Sequence, residues 1–247
     1  MKKTVDITTP DGVADSTIFH PEGKGPWPAV LFYMDGGGIR PDLFDMAQRL
    51  ADQGYYVLLP NMFYRAGRAE GIPNPMEAFN DPARREKMMA MIGALTNTVV
   101  MRDTKVFFDF LAQQPEADAT RIGCHGYCMG GKMALSAAGT FPERVRAAAA
   151  FHGASMATDD KDSAHLLASK IHGKVYVGVA EIDPWLAPNE TQRLREALTA
   201  AKTDFVMEDY PGATHGFCVP GPVYDREAAE RHWTRLLDLY DRALKQH

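Results

Sequence analysis

Arg121-Ile122-Gly123-Cys124-His125-Gly126-Tyr127-Cys128-Met129-Gly130-Gly131 sets a glycine-flanked cysteine between a strand pattern and a helix pattern. Residues 121–125 read as a strand and 129–141 as a helix, and the G-x-C-x-G between them leaves room only for a sharp turn. In such a turn the backbones of the flanking residues approach so closely that side chains would collide, which accounts for glycine at 126 and 130. The turn lifts Cys128 above the sheet and sets it at the positive end of the helix, where a thiolate is favoured. Cys128 is therefore a candidate nucleophile. Cys124, inside the strand, is expected to pack in the core, and Cys218 is read as packing with its role open.

On both sides of this turn the chain alternates strands and helices. Residues 5–8 and 17–20 read as two early strands around the Pro10-Asp11-Gly12 turn. The unbroken apolar run 29–34 suits a strand covered on both faces and ends in Asp35-Gly36-Gly37-Gly38. Helical patterns follow at 42–53, 82–91, 99–114, 189–201 and 228–245, with further strands at 55–59, 147–151, 175–180 and 205–208. Residues 65–80 read as a long polar loop. The alternation predicts an α/β architecture with a mostly parallel sheet and helices on both faces, in one domain over residues 1–247. In such sheets ligands gather at the carboxyl ends of the strands.

A cysteine nucleophile needs a base and a group that orients the base. Asp183 stands just past the strand at 175–180, and His215 lies on a glycine-containing loop after the last strand. The order Cys128, Asp183, His215 is that of nucleophile, acid and histidine in the elbow-bearing hydrolases. Glu181 competes for the acid role but stands nearer the strand.

Composition narrows the class. The 247 residues are 45% hydrophobic and 24% charged, an ordinary globular balance. With 27 basic against 32 acidic residues and a formal net charge of −5, no footprint for nucleic acid exists. Three cysteines are too few for a disulfide scaffold. No apolar run approaches the roughly 18 residues of a membrane helix, and no signal-peptide core follows Lys2-Lys3, so a cytoplasmic protein without membrane partners is expected. The histidines show no metal-ligand spacing, so neither metal nor cofactor is expected.

Gly126-Tyr127-Cys128-Met129-Gly130-Gly131, together with Asp183 and His215-Gly216-Phe217, resembles the dienelactone hydrolase family (carboxymethylenebutenolidases) over nearly the whole chain. The resemblance implies an α/β-hydrolase fold with about eight strands and no large cap. It implies opening of an enol-lactone or small ester through a thioester on the cysteine. It also implies an oxyanion hole from the Gly36 and Met129 amides, and a thiol-controlling acid at Asp35, one methylene shorter than the family's glutamate. Arg84 or Arg85 would hold a substrate carboxylate, and Tyr127 and Phe217 are assigned to substrate binding. A second family arginine falls at Val219 here. That departure points to a broader esterase or thioesterase for less charged substrates, with a redox-sensitive thiol as a further alternative. The partner expected is a small lactone or ester, and the protein a monomer or homodimer.

Overall fold

In the computed structural model, residues 1–69 and 81–245 are described. Eight strands form a sheet in the order β1-β2-β4-β3-β5-β6-β7-β8. β1 (Lys2–Thr9) and β2 (Gly12–Phe19) make the antiparallel edge foreseen from the Pro10-Asp11-Gly12 turn, with Thr9 facing Gly12 across it. β2 also runs antiparallel to β4 (Tyr56–Pro60). Every later pairing is parallel: β3 (Trp27–Tyr33) with β4 and β5 (Ala117–Tyr127), then β6 (Val145–Phe151), β7 (Lys174–Ile182) and β8 (Phe205–Thr214).

Residues 29–33 of β3 are all fully buried. Successive side chains of a strand point to opposite faces, so the sheet is covered on both. The cover comes from α1 (Pro41–Asp52), α2 (Pro82–Ala94), α3 (Asn97–Leu111), α4 (Met129–Thr140), α5 (Glu190–Ala200) and α6 (Arg226–Tyr240). Arg49 of α1 pairs with Glu230 and lies over the Trp233 ring of α6, while Phe108 of α3 meets Phe141 at the end of α4. Small residues in the central strands let the helices approach: a Cβ on Gly123 would stand 2.8 Å from the Tyr240 ring. Buried hydroxyls in the core find partners, Tyr33 with Thr104 at 2.7 Å and Tyr240 with His125 Nδ1 at 2.9 Å, while His125 Nε2 has none among the described residues. This is the α/β-hydrolase fold.

Two differences from expectation matter. β8 runs on to Thr214, six residues past the expected strand end, because it stays paired to β7 through an irregularity between Ala180 and Ile182. A short 3-10 segment, Ala164–Lys170, packs against α4 where only loop was foreseen. Most of the expected 65–80 loop falls outside the described residues.

Candidate active site

The strand-to-helix turn at Cys128 is as tight as its glycines suggest. Cys128 has φ 56° and ψ −123°, a strained backbone that costs about 1–3 kcal/mol for a residue with a Cβ. A Cβ on Gly126 would fall 2.2 Å from the Gly130 carbonyl oxygen, and one on Gly130 would fall 2.5 Å from that of Tyr33. Backbone stands in both places, so neither clash can relax by a rotamer change. The Cys128 N–H donates to Phe151, and its carbonyl accepts from Gly131 and Ala154. The elbow is thereby tied to the end of β6.

The β7–β8 pairing sets the second part of the site. The His215 N–H donates to the Ile182 carbonyl at 3.0 Å, which brings Asp183 and His215 side by side. His215 Nδ1 and Asp183 Oδ2 are 2.8 Å apart, and Oδ1 accepts from the Trp185 N–H at 2.9 Å. The Asp183 side chain is only 2% exposed. Burial alone would lower the His215 pKa. The Asp183 hydrogen bond and the adjacent Cys128 outweigh it and raise it to about 9. His215 Nε2 is buried and meets no hydrogen-bond geometry among the described residues, so the thiol acts on it by proximity rather than through a formed bond. Glu181, the competing acid, instead accepts from the Gly212 N–H within the β7–β8 irregularity.

Cys128 and His215 open onto a cleft of about 630 Å³. Gly36 and Met129 line the same cleft. A first-turn N–H such as that of Met129 has no acceptor within its own helix. Ile92 of α2 closes over Gly36, where a Cβ would stand 2.9 Å from Cδ1. Trp185, Val219 and the Pro220–Val223 segment supply an apolar wall. Among the described residues no cluster of His, Cys, Asp and Glu is placed to hold a metal ion.

Several expected roles are corrected by position. Tyr127 is fully buried, its hydroxyl 2.8 Å from His232 Nε2 and its ring against Phe151, so the last residue of β5 belongs to the core below the elbow. Phe217 is also fully buried, stacked on Tyr210 at 4.6 Å. The chain turns at Gly216 (φ 96°), which leaves Gly216 on the cleft and sends Phe217 inward. Arg84 and Arg85 are exposed on the first turn of α2, and Arg84 lies 3.6 Å from Asp81. It is Met89 and Ile92, further along that helix, that reach the cleft.

Asp35 is on the cleft wall, but its carboxylate does not meet the thiol. Arg40 Nη1 and Nη2 donate to its two oxygens at 2.7 Å each, and the Gly37 N–H adds a bond of 2.8 Å. Its short side chain is held within its own loop. Burial opposes the charge on Arg40, yet the hydrogen bonds and charge of Asp35 leave its pKa raised. Arg40 also donates to the Gly38 carbonyl and lies 3.3 Å from Asp42, so one guanidinium braces the loop that carries Gly36.

Sequence reasoning missed Arg40, Trp185 and Lys132, all lining the cleft. Only Lys132 had a signal, lying in the first turn of the helix that follows the elbow. His152, at the end of β6, lines the cleft with φ 37° and stands edge-on to His215, ring centroids 4.8 Å apart. Burial and the charge of His215 hold its pKa well below the usual value. Cys124 and Cys218 are buried, and burial pushes both thiols up. No helix among the described residues is long and apolar enough to cross a membrane.

Residues 14–244 match the model of the dienelactone hydrolase family. The chain belongs to the dienelactone hydrolase family. It is 29% identical over 246 residues to a Methylorubrum extorquens protein named "Putative carboxymethylenebutenolidase", covering 96% of this chain and 79% of the relative. A Synechocystis protein of the same name is 26% identical, with 92% and 91% covered. Among solved structures, a dienelactone hydrolase-like promiscuous phosphotriesterase from metagenomic libraries superposes with a TM-score of 0.81 at 24% identity, covering 99% of this chain and 98% of that one. That likeness speaks to the fold. Membership in the dienelactone hydrolase family makes the chain a hydrolase of carboxylic esters or lactones.

Proposed function

We propose that the chain opens an enol-lactone or small activated ester by nucleophilic attack of Cys128, with His215 as base and acid and Asp183 as its orienter. The observation that carries this reading is the 2.8 Å Asp183–His215 contact beside an elbow cysteine on one cleft. His215 takes the thiol proton and becomes an imidazolium that Asp183 stabilises. The thiolate adds to the carbonyl carbon, and the oxyanion accepts from the Gly36 and Met129 amides. In related hydrolases the loss of one such donor costs about 10²–10³ in rate. The carbon–oxygen bond then breaks, the departing enolate takes the proton from His215, and a thioester remains. Water, deprotonated by His215, attacks the thioester. The carbon–sulfur bond breaks, and the acid leaves with one water consumed overall. Arg40 and Asp35 serve by holding the Gly36 loop rather than by contact with the sulfur.

Val219 on the cleft wall supports a second reading, a wider esterase for substrates lacking a carboxylate. Turnover of enol-lactones and 4-nitrophenyl esters by wild type and Cys128→Ala tests the mechanism. The variant is expected to lose at least ~10³-fold in kcat. Undiminished turnover by Cys128→Ala refutes the assignment.

A further inference from the structure

The charges around the cleft are unevenly committed. Arg40 is bonded through both terminal nitrogens to Asp35 and lies against Asp42. Arg84 and Arg85 stand in solvent on α2, and the fourth position after His215 is the apolar Val219. Lys132 differs from all of these. It lines the cleft, is half-buried, and makes no hydrogen bond or ion pair with a described residue.

Its place follows from the elbow. Cys128 caps α4, Lys132 follows on the first turn of that helix, and both line the same cleft. The flexible stem lets the ammonium swing toward an acyl group held on the sulfur. Burial disfavours the charge and lowers the lysine's pKa, while Asp162, Asp160 and the Cys128 sulfur act in the other direction from beyond contact distance. A cation partly stripped of water, with no counter-charge among the described residues against it, favours an anion brought in from outside.

We propose that Lys132 is an anion subsite of the cleft, receiving a carboxylate that the ester or lactone carries a few bonds from its scissile carbonyl. This rests on the hydrolase reading of Cys128. It reverses the inference from Val219 alone: the anionic substrate is retained and its cation is supplied from α4. A lysine is a point charge without the fixed fork of arginine, so the subsite tolerates variation in where the carboxylate lies.

The test compares 4-nitrophenyl hydrogen glutarate with 4-nitrophenyl valerate, acyl groups matched in length and differing in charge. The readout is the anionic-to-neutral ratio of kcat/KM. A charge-assisted hydrogen bond predicts that Lys132→Met and Lys132→Gln each lower this ratio by about 10- to 100-fold, chiefly through KM for the glutarate. Lys132→Arg, which keeps the charge, should hold it within about 3-fold of wild type. Ratios unchanged in both uncharged variants overturn the proposal.

If wild type turns over neither ester, the hydrolase reading fails and the subsite is tested without it. Iodoacetate and iodoacetamide alkylate the same thiol but differ in charge, and peptide mapping reads Cys128 apart from the buried Cys124 and Cys218. The iodoacetate-to-iodoacetamide rate ratio should then fall by roughly 10-fold in Lys132→Met. An equal ratio in wild type and variant overturns the subsite on its own.

Discussion

Replacing Arg40 by methionine would remove the brace of the Gly36 loop while keeping the stem's apolar volume. Asp35 would lose two charge-assisted bonds of 2.7 Å and keep only the Gly37 N–H. The two side chains are 18% and 12% exposed, so the carboxylate left behind is largely shielded from water. Breaking a fully buried pair costs about 3–5 kcal/mol, and the residual exposure with the surviving Gly37 bond reduces this to about 2–3 kcal/mol here. A loosened loop also misplaces one oxyanion donor, for which a fall of about 10- to 100-fold in kcat/KM is expected. Urea denaturation of Arg40→Met, Asp35→Asn and the double variant closes a cycle. The double variant lacks the orphaned carboxylate, so it should be more stable than the sum of the singles predicts, by about 1–2 kcal/mol. Additive losses, or wild-type stability in Arg40→Met, would refute the idea that this pair holds the loop.

Gly126→Ala should abolish activity and lower stability by more than the roughly 1–3 kcal/mol of ordinary overpacking, because its Cβ would meet the Gly130 backbone at 2.2 Å; circular dichroism melts and ester turnover check this. The His215 pKa, raised to about 9, means that folding takes up a proton between about pH 6.5 and 9. The resulting stability, up to about 3 kcal/mol, is complete below pH 6.5 and is lost as pH rises through 9. Asp183→Asn should remove most of that pH dependence and move the His215 titration down, as NMR would read. Tyr127→Phe leaves His232 Nε2 without its partner and should cost about 1–3 kcal/mol in stability with KM for esters unaltered, whereas a large KM change would return Tyr127 to the substrate.

The elbow was legible because close backbone approach leaves a mark in the sequence: only glycine fits at 126 and 130. The alternation of strands and helices was legible from apolar runs buried on both faces, and with it the strand ends where Cys128, Asp183 and His215 meet. What stayed hidden depends on side-chain direction. Tyr127 and Phe217 adjoin site residues in sequence yet point into the core, a difference of one strand or turn position that composition does not record. Arg40 reads as an unremarkable residue before a proline-started helix, and only the fold shows its guanidinium turning back five residues to Asp35. The extension of β8 to Thr214 was obscured by Pro211 and Gly212, which read as part of a loop but sit in a strand irregularity.

Covalent chemistry at Cys128 leaves an acyl group on the sulfur, which mass spectrometry of the quenched protein detects. Wild type and Asp183→Asn would be quenched in acid during turnover of a 4-nitrophenyl ester. The predicted result is one acyl mass on the peptide containing Cys128, longer-lived in Asp183→Asn, where the base that activates water is impaired. Turnover with no acyl group on that peptide would contradict it, as would one carried by any other residue.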